Sequence, residues 1–164
     1  MNFFEESTVS VRQAVFTVVA ATFIWLVSPP APAEHHEPEF FASSAAGDRD
    51  LPFSEAVKAG PFLYLSGMLG NRAGTPELAP GGIGPETFAA MEKIKAAVER
   101  HGSSMDRVIK CTVFLADISE WAAMNEVYGQ FFPDNKPARS AVAVSGLALG
   151  ARVEIACIAV VEDM

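Results

Sequence analysis

From Leu51 onward, apolar and polar positions alternate in short blocks punctuated by glycine and proline. The stretch PFSEAVKAGPFLYLSG predicts a short strand over 53–57, a turn over 59–61 and a second strand over 62–66. Residues 71–84, rich in Gly and Pro, predict a long loop. Pro85 can open a helix that runs to about Arg100, with Phe88, Met91, Ile94, Lys95 and Val98 close to helical spacing and Gly102 as its stop. VIKCTVFL at 108–115 is apolar and β-branched, which predicts a central strand. Asp117 with Glu120 resembles a capping box, and Ser119 is a competing cap; either starts a helix to about Phe132, stopped by Pro133. Two final strands, 138–145 and 152–161, flank a turn around 146–150. The order β-β-α-β-α-β-β describes an α+β domain with a single mixed sheet and two helices on one face. The opposite face then lacks cover, so an oligomer is expected.

The chain ahead of this domain reads differently. Ala14 to Val27 is an uncharged run of 14 residues, short for a membrane span. SPPAPA follows, with Ala31 and Ala33 in an A-x-A cleavage pattern before Glu34. Residues 1–33 are therefore expected to be a secretory signal peptide, which implies a periplasmic or secreted protein. Glu5 and Glu6 oppose Arg12 in the leading segment, which leaves an uncleaved membrane anchor as the alternative. Residues 34–50 are polar, rich in small residues and without a sustained period, so they read as a flexible linker to the domain at 51–164. Neighbouring His35 and His36 could ligate a metal, but adjacent histidines in a linker hold no fixed geometry, and no metal site is expected.

Composition narrows the function. A net charge of −8 argues against nucleic-acid binding, which needs a basic face. Cys111 and Cys157 stand far apart and alone, which excludes a zinc motif. Both lie in apolar runs and are expected to be free thiols. GGIGPE at 81–86 lacks the lysine and the preceding strand of a phosphate loop.

Two charges then stand out. In KPARSAVAV, Arg139 enters a strand of buried-strand composition with little nearby to neutralise it. In ARVEIACIAVV, Glu154 interrupts an otherwise apolar strand. A charge in such surroundings is costly without a partner. The two could border one cavity or form a structural salt bridge between neighbouring strands. Trp121 and Asn125, four apart, share one helix face, where core packing is the simpler account. Ser66 and Gly67 end the second strand, where a hydroxyl and backbone N–H groups could meet an anion. His101, at a helix end, is explained by the helix dipole.

With PFSEAV, YLSGMLG, KCTVFLADISEWAAMNEVYGQFF, KPARSAVAV and RVEIACIAVV in this order, the chain from about Asp50 to Glu162 resembles the RidA/YjgF reactive intermediate deaminases. The resemblance implies a chorismate-mutase-like fold and a homotrimer with clefts between subunits. It implies that Arg139 forks onto a substrate carboxylate and that Glu154 positions or activates water. Ser66, Gly67, Trp121, Asn125, the backbone of Ala141 and Phe53 would line the same cleft. The activity it implies is hydrolysis of small 2-imino or 2-enamino acids to 2-oxo acids and ammonia, with no metal or organic cofactor. Three departures put the substrate in question: Phe53 where the typical deaminases carry tyrosine, Met68 where they carry glutamine, and an export signal that they lack. A carboxylate-binding module without turnover, or a hydrolase of another enamine-type metabolite, is the alternative.

Overall fold

The computed structural model describes residues 37–42, 51–72 and 74–161. The segment read as signal peptide or anchor lies outside them, as do His35 and His36. Among the described residues no helix is long and apolar enough to cross a membrane, and no group of His, Cys, Asp and Glu could hold a metal ion.

One mixed sheet carries the fold. Its strands are β1 (Glu39–Phe41), β2 (Ala56–Ala59), β3 (Phe62–Leu65), β4 (Met68–Leu69), β5 (Val108–Leu115), β6 (Ala138–Ala143) and β7 (Val153–Val160). Two α-helices, α1 (Ile83–Arg100) and α2 (Trp121–Tyr128), complete it. The strand order is β1-β2-β3-β7-β5-β6, with β4 also on β7; only β5–β6 is a parallel pair. The expected α+β architecture, a mixed sheet with two helices, is what forms.

The two-residue period of the strands decides which face is covered. Cys111, Val113 and Leu115 of β5 and Val153, Ile155, Cys157 and Ala159 of β7 are buried, together with Met91, Ile94, Ala97 and Val98 of α1 and Met124 of α2. The alternate residues face away and are half-buried or exposed; Phe40, Phe62, Tyr64 and Val142 are among the large apolar ones exposed on that open face. Helix α1 turns slightly from its expected stripe. Its buried line runs Ile83, Glu86, Thr87, Ala90, Met91, Ile94, Ala97 and Val98, leaving Phe88 and Lys95 outside.

Several expectations need correction. Glu39–Phe41, inside the stretch read as linker, pairs with β2 as an edge strand. The first strand of the domain begins at Ala56 rather than at 53, so Phe53 lies ahead of it. The strand carrying Arg139 is not buried: β6 ends the sheet, and its residues alternate between exposed and half-buried. Small and β-branched residues suit an edge that another surface can cover as well as a strand already covered. The cysteines are not free thiols. Cys111 and Cys157 are directly opposed in the β5–β7 register and joined as a disulfide, with Cα atoms 4.1 Å apart. Their 46-residue separation hides that pairing from the sequence. His101 does more than face a helix dipole: its Nε2 lies 3.0 Å from Glu55 Oε2, and its ring stacks on Phe41 with centroids 4.1 Å apart.

Candidate functional site

Strand β6 and helix α2 build one cluster. Trp121, Asn125 and Tyr128 lie at i, i+4 and i+7 and so share one face of α2. Arg139 reaches that face from β6: its guanidinium carbon is 4.7 Å from the Tyr128 ring centre and 5.9 Å from that of Trp121. Two aromatic faces favour a cation by about 0.5–2 kcal/mol each, which offsets the loss of water around it. Arg139 makes no ion pair with any described residue. Nearby polar atoms are left open as well: Asn125 Oδ1 and the Tyr128 hydroxyl are buried and find no hydrogen-bond partner among the described residues. Burial pushes the Tyr128 phenol up to about 12, while the Arg139 charge pulls the other way, so the hydroxyl stays protonated and able to donate. Ala141 is half-buried on the same strand face as Arg139, two residues on, against the core.

Glu154 belongs to a second cluster. Strands β3 and β4 are one strand interrupted at Ser66–Gly67, where their register against β7 slips by one residue. Glu154, opposite Leu69, fills the space beside that interruption. A Cβ at Gly67 would overlap Glu154 Oε1 and come within 2.7 Å of its carboxyl carbon, so only glycine admits the carboxylate there. Glu154 is half-buried and makes neither a hydrogen bond nor an ion pair with a described residue. The Ser66 hydroxyl donates to the Ser54 carbonyl at 2.6 Å, leaving its lone pairs to accept. Phe53, 57% exposed, lines a cleft of about 980 Å³ with Ser66, Gly67 and Met68.

Within one chain the two clusters do not meet. Strand β5 runs between β6 and β7, so the last two strands are not neighbours as their sequence proximity suggested. Arg139 aligns with Cys111 and takes the helix-covered face; Glu154 aligns with Phe114 and takes the open face. Two strand spacings and three residues of rise separate their Cα atoms by about 14 Å. A salt bridge between them is therefore absent, and one cavity within a chain cannot hold both.

Sequence reasoning missed Tyr128, although its seven-residue spacing from Trp121 gives it away once α2 is accepted. It also missed two carboxylates more deeply buried than Glu154. Glu86 accepts the Arg152 backbone N–H at 2.8 Å, and Glu55 accepts Arg100 Nη1 at 2.6 Å. Neither stands in an apolar run, so nothing local marks it.

A mixed sheet with two helices of this kind is shared with known proteins. The family profile described as "Endoribonuclease L-PSP" matches residues 45–161. The chain belongs to this family, that of the RidA/YjgF proteins. A RutC family protein of Pyrococcus horikoshii is 44% identical over 111 residues, covering 68% of this chain and 88% of that protein. The 2-iminobutanoate/2-iminopropanoate deaminase of Capra hircus is 41% identical over 109 residues, 66% of this chain and 80% of the relative. Among solved structures, yeast Mmf1 aligns with a TM-score of 0.70 at 31% identity, over 77% of this chain and all of its own. E. coli TdcF with bound serine aligns with a TM-score of 0.68 at 31% identity, over 76% and 99%.

Proposed function

We propose that the protein hydrolyses small 2-imino or 2-enamino acids, giving 2-oxo acids and ammonia, at clefts formed between copies of the chain in a homotrimer. The observation that carries this reading is a pair of unpartnered, opposite charges. Arg139 is held by aromatic rings rather than a carboxylate, and Glu154 is seated on a glycine rather than beside a cation. A small acid supplies the first with its partner and a water supplies the second. Because the two groups take opposite faces of one sheet, a site that uses both draws on two copies, and the exposed apolar residues Phe62, Tyr64 and Val142 suit a covering surface.

In this reading the Arg139 guanidinium forks onto the substrate carboxylate and fixes C2 for attack. Glu154 takes a proton from water as the water oxygen bonds to C2. The imine nitrogen enters protonated; Glu154 then passes its proton to the amine nitrogen of the carbinolamine, and as the C–N bond breaks ammonia leaves and the hydroxyl proton returns to Glu154, giving the 2-oxo acid. The imine carbon is electrophilic by itself, so the chemistry asks for positioning and one proton relay. That one relative carries a deaminase name and one solved neighbour binds serine, an amino acid carboxylate, supports the substrate class.

A second reading has its own observation. Phe53 brings no hydroxyl to the cleft, and Ser66 donates its proton to Ser54. A site with so few donors suits a carboxylate-binding module without turnover. The name "endoribonuclease" attached to the family profile fits less well with a chain of net charge −8. Ammonia release from freshly generated 2-iminopropanoate separates the readings: turnover above the spontaneous rate supports the deaminase, and binding of a 2-oxo acid without release supports the module. Light scattering tests the assembly, where a monomer mass at micromolar concentration removes the shared cleft. Export as a signal-peptide-bearing protein is part of the proposal, and mass spectrometry from the native host should find Glu34 as the mature N-terminus. An intact Met1 in the membrane fraction would favour an anchor.

A further inference from the structure

We propose that Glu86 is a positioning residue for Glu154: it ties together the two strands that form the seat of that carboxylate. The inference rests on the deaminase reading and adds to it a residue that touches no substrate. Glu86 stands in the first turn of α1, and its side chain is buried, 4% exposed. Taking a carboxylate out of water is costly unless its oxygens find donors. The donor that Glu86 takes, and the strand it lies against, lead to Glu154.

The seat of Glu154 cannot fix itself. Strand β4 meets β7 through two residue pairs only, Met68 with Ile155 and Leu69 with Glu154. So short a ladder, beginning beside a glycine, sets its register weakly. Yet Gly67 must stay opposite the Glu154 side chain for the seat to exist. Glu86 grips both strands one step further along. On the β7 side its Oε2 accepts the Arg152 N–H at 2.8 Å, two residues before Glu154. On the β4 side Gly70 follows Leu69, and a Cβ there would overlap the Cα and Cβ of Glu86. Gly70 thus lies flush against the helix at this residue, while its carbonyl accepts the Ala79 N–H at 2.9 Å. One side chain on α1 therefore sets the end of β4 and the entrance of β7 against each other. Arg139 is no part of this clamp, because its strand β6 is separated from β7 by β5.

The test compares turnover of freshly generated 2-iminopropanoate by the full chain with that of three variants, each also followed by melting and by calorimetry with a stable 2-oxo acid. Glu86→Gln keeps the volume and an oxygen to accept the Arg152 N–H, so kcat should stay within about twofold of wild type. Glu86→Leu keeps the bulk and loses the acceptor. Its kcat should fall about tenfold, with KM and 2-oxo acid affinity unchanged, because Glu154 is misplaced and Arg139 is not. Glu86→Asp keeps the charge but falls a methylene short, and it should lose kcat in the same way, which covers a failure of the leucine variant to fold. A residue that only holds the fold together would lower the melting temperature and leave kcat per folded molecule where it was. Full kcat in the folded leucine or aspartate variant would overturn the proposal. So would a loss in Glu86→Gln equal to that in Glu86→Leu, or a rise in KM in place of the fall in kcat. Absence of turnover by the wild-type protein removes the deaminase reading itself, and this proposal with it, so the two failures are told apart.

Discussion

Arg152 and Arg139 sit at the entrances of the last two strands, and their surroundings could hardly differ more. Arg152 places Nε 2.8 Å and Nη2 2.5 Å from Glu120 Oε1, with Nε also 3.0 Å from Oε2, and its backbone N–H meets buried Glu86. Its proton is held the more firmly for those carboxylates. That guanidinium is paired with a carboxylate of its own chain through both Nε and Nη2, which is a structural role. Arg139 has two ring faces and no carboxylate. Aromatic stacking holds the plane of a guanidinium while leaving its N–H edges free, which is how a fork is kept ready for an incoming carboxylate. Carboxylates divide in the same way: Glu55, Glu86 and Glu120 have donors, whereas Glu154 has a glycine. What sets the two candidate residues apart from these carboxylates and from Arg152 is not burial but the lack of a side-chain hydrogen bond or a partner of opposite charge within the described residues.

The strongest way to break this contrast is Glu154→Gln. It keeps the volume over Gly67 and removes the ionisable group, so turnover of 2-iminopropanoate should fall roughly a hundredfold while a stable 2-oxo acid binds as well as before. Unchanged ammonia release would end the role of Glu154. Arg139→Lys comes next. An ammonium can rest on Trp121 and Tyr128 but cannot make two parallel bonds in one plane, so affinity for the carboxylate should drop about tenfold to a hundredfold. The counterpart Arg152→Lys should leave turnover near wild type. If Arg139→Lys binds and turns over normally but melts several degrees lower, Arg139 is structural like its neighbour. Gly67→Ala sharpens the comparison further. The new methyl meets the Glu154 side chain from Oε1 back to Cγ and no backbone atom among its nearest contacts, so a rotamer change of Glu154 can make room and the protein should melt close to wild type. Activity should still fall about tenfold, because the displaced carboxylate no longer meets the water. A stable variant with full activity would show that the carboxylate's seat is irrelevant.

Much of the fold could be read from local pattern, because strands such as 108–115 are set by their own β-branched residues and α1 by its own period. The candidate residues could be read for a related reason: Arg139 and Glu154 are each out of place in an apolar run, which a sequence displays directly. What could not be read was their relation. That depends on β5 inserting between β6 and β7, a matter of sheet order that no residue near either position records. The disulfide of Cys111 and Cys157 was hidden by the same fact, since it is the β5–β7 register that opposes them. Glu55 and Glu86 were hidden because a glutamate in a polar stretch reads as solvated, and their burial follows from the way α1 and the segment before β2 pack. Lys93, which lines the same cleft as Phe53 and has Asn71 Oδ1 as a neutral partner at 2.6 Å, was hidden likewise on the flank of α1.

Lys93 extends the contrast between partnered and unpartnered cations to stability, with the smallest expected effect. Its pKa falls from 10.5 in the unfolded chain to about 8 in the folded one, the cause being loss of water on burial. Below about 8 both states carry the proton and the folded state bears the full cost of the desolvated charge. Between those two values the unfolded chain binds more protons than the folded chain, so this group's contribution to stability rises with pH. Lys93→Met removes the charge and keeps an apolar stem in the cleft. The variant should therefore melt above wild type at neutral pH, with the gap closing as pH climbs past 8 and gone beyond about 10.5. Asn71 would lose one donor contact but keep its own bond to the Thr75 carbonyl, so the segment stays tied. Because the amine is only half-buried, solvent screens the effect and the shift should be the smallest in this series. Melting curves of the two proteins across that pH range decide it. A gap that does not move with pH would mean that Lys93 titrates alike in both states, and it would then stand with Arg152 among the cations the fold already satisfies.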